Sequence, residues 1–288
     1  MIDWPDELVT DLARRKAIIL LGSGVSKHAE GRHGIRPQDW KGFLKQALND
    51  CPADDVQHIE KAIKEGDFLH ACEWLKSRYD ESWPAYLRKH FLEQGYQPGE
   101  IHRLLVALDS RIVFSLNFDD IYERCANHQH AGALIVKSYF DDDIGEILRG
   151  TGRYLVKVHG ALNTPQSLIF TQKDYAHARI KHAQFYQAFD ACLLTHSFLF
   201  VGAGYSDPDI NLVLENQNFG FPHSRPHYFL TSSDLPDDRI SSLRANRNLK
   251  TIKYDKIDDN HSGLVNEIKN LVSLVDEERQ IVRDETNW

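Results

Sequence analysis

The stretch Ala17-Ile18-Ile19-Leu20-Leu21-Gly22-Ser23-Gly24-Val25-Ser26 joins five consecutive apolar residues to a turn of small ones. An unbroken apolar run of this length, closed by glycine, suits a strand covered on both faces, as in a parallel sheet. Gly22 and Gly24 accept the dihedral angles of a tight turn, and the N–H groups of the helix expected to follow would favour a phosphate electrostatically. The same pentapeptide also suits a plain connection from strand to helix. The remaining strands of the sheet must decide between the two readings.

Three further runs rich in β-branched and aromatic residues predict strands at Ile112–Leu116, Tyr154–Val158 and Ser197–Val201. Shorter ones are predicted at Leu134–Val136, His227–Leu230 and Thr251–Tyr254. Helical spacing lies between several of them, beginning with a helix from about Pro5 to Lys16 that carries Leu8, Val9 and Leu12 on one face. Strands alternating with helices predict an α/β fold, a doubly wound, mostly parallel Rossmann-like sheet. The segment 37–108 differs: Trp40, Phe43, Leu44 and Leu48, then Ile59, Ile63, Leu69, Trp74 and Leu75, then Tyr86, Leu87 and Phe91 recur at helical spacing. Breaks near Cys51-Pro52, Gly66-Asp67, Trp83-Pro84 and Gly95–Gly99 suggest three or four short antiparallel helices. The chain is therefore divided into a sheet domain, 1–36 with 109–288, and an all-helical insertion, 37–108. The aromatics of the insertion are read as core in preference to a ligand box. A closing helix is expected over His261–Arg283.

Composition narrows the function classes. A formal charge of −8 argues against direct nucleic-acid binding, which needs clustered Lys and Arg. The four cysteines, Cys51, Cys72, Cys125 and Cys192, form no C-x-x-C pair, so neither a zinc ribbon nor a dithiol motif is read and no metal is expected. The first residues are acidic where a signal peptide would be basic, and no apolar stretch reaches the length of a membrane span. The expected location is cytoplasmic.

In open parallel sheets ligands lie outside the carboxyl ends of the strands, so the polar residues at those ends belong to one candidate site. They are Gly22–Ser26, Asn117-Phe118-Asp119-Asp120, His159-Gly160 and Gly202-Ala203-Gly204-Tyr205-Ser206-Asp207. Each has a structural alternative: Asn117 or Asp119 as a helix cap, His159 as a satisfied core histidine, and Ser206-Asp207-Pro208-Asp209 as a capping box. Together they outweigh those alternatives, because structure alone does not require Asn, His and glycine turns at four strand ends. Such a set would hold a ligand in the crevice beyond the strand ends.

The constellation resembles the sirtuin superfamily, the silent-information-regulator enzymes that consume NAD. Gly22-Ser23-Gly24-Val25-Ser26 is similar to the family's Gly-Ala-Gly-x-Ser phosphate loop, Leu116-Asn117-Phe118-Asp119 to its x-Asn-x-Asp, and Lys157-Val158-His159-Gly160 to its catalytic His-Gly, in the family's order. Two departures matter. The zinc ribbon of the protein-deacylating members has no counterpart, and the later Gly-Thr-Ser of ordinary sirtuins is missing. Phe170–Tyr175 and Phe200–Asp209 instead resemble a divergent bacterial branch that hydrolyses NAD during anti-phage defence.

The resemblance implies a sirtuin-like NAD-binding Rossmann domain and an NAD glycohydrolase yielding nicotinamide and ADP-ribose, with NAD as substrate and no zinc. It implies catalytic roles for Asn117, on a ribose hydroxyl or water, and for His159 as base. Cofactor binding would fall to Gly22, Ser23, Gly24, Ser26, Asp119, Gly202 and Gly204. Gly24 and Ser26 would face phosphate, Asp119 would orient the nicotinamide amide or else hold the loop, and Asp207 and Asp209 are read as structural. Lys27 to Arg36 falls where sirtuins place a mobile cofactor loop. The implied setting is abortive infection, in a homo-oligomer and with a HerA-type motor ATPase or Argonaute-like partner that handles DNA. The rival readings are a deacylase or ADP-ribosyl transferase, and a non-catalytic module that senses NAD or ADP-ribose.

Overall fold

The computed structural model describes residues 2–204 and 207–286, with the side chains of 285 and 286 excepted. Its centre is a seven-stranded sheet in the order β3-β4-β2-β1-β5-β6-β7, formed by β1 (Ala17–Leu21), β2 (Ile112–Ser115), β3 (Leu134–Ser138), β4 (Arg153–Lys157), β5 (Ser197–Val201), β6 (His227–Ser232) and β7 (Leu249–Tyr254). Every pairing is parallel, as the continuous apolar runs predict.

The two-residue alternation of each strand divides two cores. Ile19 and Leu21 face one, with Val113, Leu155, Leu199 and Val201; Ile18 and Leu20 face the other, with Phe114, Val156, Phe198 and Phe200. The first core is closed by α1 (Asp6–Ala13), by α7 (Glu100–Ala107) and α8 (Ile121–Gln129), and by the long α14 (Ser262–Thr286). The second is closed by α9 (Glu146–Arg149), α10 (Gln172–Lys181), α11 (Ala183–Thr195), α12 (Pro208–Gly220) and α13 (Asp237–Arg247). Helix α1 is shorter than the Pro5–Lys16 reading because Arg15 turns left-handed, φ 55°.

Between β1 and β2 lie the single turn α2 (Ser23–Ser26) and then five α-helices where three or four were expected: α3 (Trp40–Asn49), α4 (Gln57–Glu65), α5 (Phe68–Tyr79), α6 (Trp83–Phe91) and α7. The expected break at Trp83-Pro84 falls earlier, at Asp80–Ser82, and Trp83 and Pro84 open α6. A proline lacking its N–H is tolerated in a first helical turn, so it marks the start there. Helices α3 to α6 share a core of their own, built on Phe43, Leu44, Ile59, Leu75, Trp83 and Leu87 and completed by Leu162, Leu168 and Phe170 from the segment after β4. Helix α7 packs beneath the sheet instead, through Ile101, Leu105 and Val106.

Candidate functional site

Strand register lines up the residues that matter. Leu21 pairs with Ser115 on one side and Val201 on the other, and Ser115 pairs with Lys157. The next residues along the chain, Gly22, Leu116-Asn117, Val158-His159 and Gly202, therefore leave the sheet along one edge. Above that edge is a cleft of about 610 Å³, within the range of small-molecule sites. Its floor includes Gly22, Ser23, Ser26, Asn117, Asp119, His159, Gly204 and Asp207, and its roof includes Pro37, Trp40, Phe43, Phe68 and Phe91 from the helices between β1 and β2. Asp39 caps α3 by accepting from Gly42 N–H and pairs with Lys27 at 2.7 Å, which ties the roof to the end of α2.

Gly24 and Gly202 do not line the cleft. A Cβ on Gly22 would lie 2.3 Å from Ala203 Cα, one on Gly24 2.8 Å from Gly202 Cα, and one on Gly202, whose φ is +60°, 2.6 Å from Val25 N. Gly22 N–H donates to Val201 O and Gly24 N–H to Gly202 O. These glycines are explained first by the closeness of the loops after β1 and β5, and two of the N–H groups expected to face phosphate are spent there. Ser23 is exposed on the cleft floor and Gly204 is exposed beside it. Tyr205 and Ser206 lie outside the described residues.

Asn117 is held by a directed chain of hydrogen bonds. Its Nδ2 donates to Gly22 O and to Ser26 Oγ, both at 3.0 Å; Ser26 Oγ donates to Asp119 Oδ2 at 2.7 Å. Asp119 Oδ1 accepts from Ile121 N–H, and the Asp119 carbonyl accepts from Lys157 Nζ at 2.5 Å. Ser26 is buried within this chain, and Asp119 holds the loop, one of the two roles open to it from sequence. Both amide hydrogens of Asn117 are committed, so its Oδ1 is the atom left for a ligand, and it can only accept. Burial lowers the Lys157 pKa from its ordinary value, opposed by the charges of Asp119, Glu123 and Asp120.

His159 is buried beside a second group. Its Nε2 lies 3.1 Å from Asp207 Oδ2 and 3.3 Å from the Tyr175 hydroxyl, which donates to the same carboxylate oxygen at 2.9 Å. Helix starts bring these partners in. Thr171 caps α10 in a box with Asp174, placing Tyr175 in the first turn, and Asp207 caps α12 by accepting from Ile210 N–H. Burial opposes ionisation of Asp207, but His159 beside it and the hydrogen bonds it accepts hold its carboxyl below the usual range. Burial and Asp207 push the Tyr175 phenol well up. Asp209 is structural, paired with Arg179 and Tyr186 across α10, α11 and α12.

The aromatic wall was not assigned to the site from sequence. Phe118 stacks on Phe170 with centroids 4.3 Å apart, and Trp40 stacks on Phe170 at 5.0 Å, so these rings pack the insertion and line the cleft together. Tyr175 was missed as well, although it stands in a segment that carried the family resemblance. The segment after α2 is clipped by Glu30 and Gln97, which exchange backbone hydrogen bonds, and its His33 joins no metal-binding group. Among the described residues no three His, Cys, Asp or Glu side chains are grouped to hold a metal ion, and no helix is long and apolar enough to cross a membrane.

Residues 111–252 match the model of the SIR2-like domain, a span that contains Asn117, His159, Tyr175 and Asp207. The chain is similar to the NAD(+) hydrolase ThsA of Acinetobacter baumannii, 25% identical over 77% of this chain and 44% of that protein. It is also similar to ThsA of Enterococcus faecium, 24% identical over 68% of this chain and 41% of the relative, and to ThsA of Cytobacillus dafuensis, 23% identical over 87% and 48%. The chain thus spans under half the length of these curated relatives. With the Asn and His motifs set on one edge of a parallel sheet, the chain is similar to the SIR2-like family over residues 111–252.

Proposed function

We propose that the cleft binds NAD and hydrolyses the bond between nicotinamide and ribose. The observation that carries this reading is the convergence of Asn117 and His159 on one cleft floor, Asn117 with its Oδ1 as the remaining ligand atom and His159 held by Asp207. Asn117 accepts a hydrogen bond from a ribose hydroxyl or from the attacking water. The bond between the anomeric carbon and the pyridinium nitrogen breaks with its electron pair going to nitrogen, so nicotinamide leaves neutral. Water forms the new bond to the same carbon and gives its proton to His159, which passes it to solvent. NAD and water become nicotinamide, ADP-ribose and a proton. The aromatic wall excludes bulk water from the cationic centre.

The proposal extends to setting. The unit that binds NAD is 1–36 with 109–288, and the helical insertion 37–108 supplies the roof through residues 37–96. The chain is an effector of anti-phage defence that depletes NAD in the cytoplasm, and its activity is restrained until it assembles. The support is the family resemblance, the relatives' names and the danger of unrestrained NAD hydrolysis to the host. The formal charge of −8 agrees with leaving DNA to a HerA-type ATPase or Argonaute-like partner.

Incubation of the purified chain with NAD, alone and with candidate partners, followed by chromatography of the products, tests the activity. Equal amounts of nicotinamide and ADP-ribose are expected. Turnover that depends on an acylated peptide would favour the deacylase instead. A monomer running at full rate alone would contradict the restraint.

A further inference from the structure

The two oxygens of Asp207 do different work. Oδ1 accepts Ile210 N–H and caps α12; Oδ2 faces His159 Nε2 and the Tyr175 hydroxyl. The single Tyr175 proton is donated to that oxygen, so it does not serve the 3.3 Å contact with Nε2. If Nε2 were the unprotonated nitrogen, its lone pair would face a carboxylate oxygen at 3.1 Å with no hydrogen between them. The side chains of His159 and Asp207 are 8% and 9% exposed, so water does little to relieve such a clash. No described residue is hydrogen-bonded to Nδ1, and it is not among the sealed, unpartnered polar atoms.

We infer that Asp207 is the positioning residue of the site: its carboxylate accepts the Nε2–H of His159 and so fixes the tautomer whose Nδ1 lone pair is open to the cleft. Tyr175 steadies the same oxygen. The carboxyl held below its usual range keeps this arrangement charged at neutral pH. Only the consequence for rate rests on the NAD-hydrolase reading; the tautomer does not. In that reaction Nδ1 takes the proton of the attacking water, and Nε2–H remains shared with Asp207 throughout.

The discriminating variant is Asp207→Asn, because Asn caps a helix as well as Asp does. Its Oδ1 can keep Ile210 N–H while its Nδ2 donates to His159 Nε2, which forces the proton to Nδ1. Long-range proton–nitrogen NMR of histidine-labelled protein, with His159 identified by the signal lost in His159→Gln, reads the tautomer directly. Protonation on Nε2 is expected in the wild type and on Nδ1 in Asp207→Asn. With NAD, kcat should fall on the order of 10³- to 10⁴-fold at nearly unchanged KM, the scale of a wrong tautomer in Ser-His-Asp enzymes, and Asp207→Glu should recover part of it. If Asp207→Asn is poorly folded, Asp207→Ser keeps a capping oxygen too short to hold His159 and should lose kcat alike. A wild-type His159 protonated on Nδ1, or a variant with its tautomer and kcat unchanged, overturns the proposal. A wild type with the expected tautomer and no NAD turnover, either alone or with candidate partners, overturns the NAD reading and leaves the role of Asp207 standing.

Discussion

Asn117 is tied to Asp119 through one hydroxyl, that of Ser26, so the Ser26→Ala variant measures what the tether contributes. It leaves one amide hydrogen of Asn117 and one oxygen of Asp119 without their partner, a cost of about 1–3 kcal/mol. We expect a lower thermal midpoint and a loss of activity on the order of tenfold, because a misdirected Oδ1 costs about 1.4 kcal/mol in the transition state. Unchanged turnover would show that Asn117 is positioned by the strand end alone. Asn117 and His159 were legible in the sequence because each directly follows a strand run. Asp207 was read as structural because a Ser-Asp-Pro-Asp string is explained by capping alone. Its second oxygen is seen only when the chain folds His159 against it, and sequence has no pattern for a carboxylate that serves two partners.

At the scale of elements, the strands were the most legible part. Ala17–Leu21 and Ser197–Val201 fall on their predicted bounds, since apolar runs closed by glycine leave little choice of end. The roof was read less well: three or four helices were expected, and a proline taken for a break opens α6. Aromatic spacing marks a helical face but not whether that face meets a neighbour or a cleft, and Trp40 meets both. Gly22 and Gly24 were read as a phosphate cradle and Gly202 as cofactor-binding, whereas packing of the loop after β1 on the loop after β5 already requires glycine at all three. The Gly22→Ala variant would press its Cβ to 2.3 Å from Ala203 Cα, backbone against backbone with no flexible atom to yield. A loss of several kcal/mol, on the order of an overpacked core, should appear as a shifted denaturant midpoint together with lost activity. A variant as stable as the wild type would refute the close approach of the two loops.

For the whole molecule, two buried histidines set an acid limit. Burial pushes His102 and His227 down to about 4, the latter opening β6 with its Nδ1 accepting Phe198 N–H from β5. Between pH about 6.5 and 4 the unfolded chain binds protons that the folded chain refuses, so stability falls as pH drops through that window. The loss from pH 7 to pH 5 should be on the order of 2 kcal/mol for each of these two histidines in urea titrations, and His227→Asn should make the slope shallower. An equal stability at both pH values would contradict it. The scattered cysteines lead to a further expectation, that NAD cleavage survives exhaustive chelation and that metal analysis finds no stoichiometric zinc; a tightly bound zinc would revive the deacylase reading. The central claim is that one cleft, through Asn117 and His159, cleaves NAD. Its most direct test is the rate of nicotinamide release at saturating NAD from the wild type, Asn117→Ala and His159→Ala, each shown to be folded by circular dichroism. The account predicts release by the wild type and a fall of about two to four orders of magnitude in each variant, the scale of a lost positioned base. Wild-type turnover in either variant would contradict it.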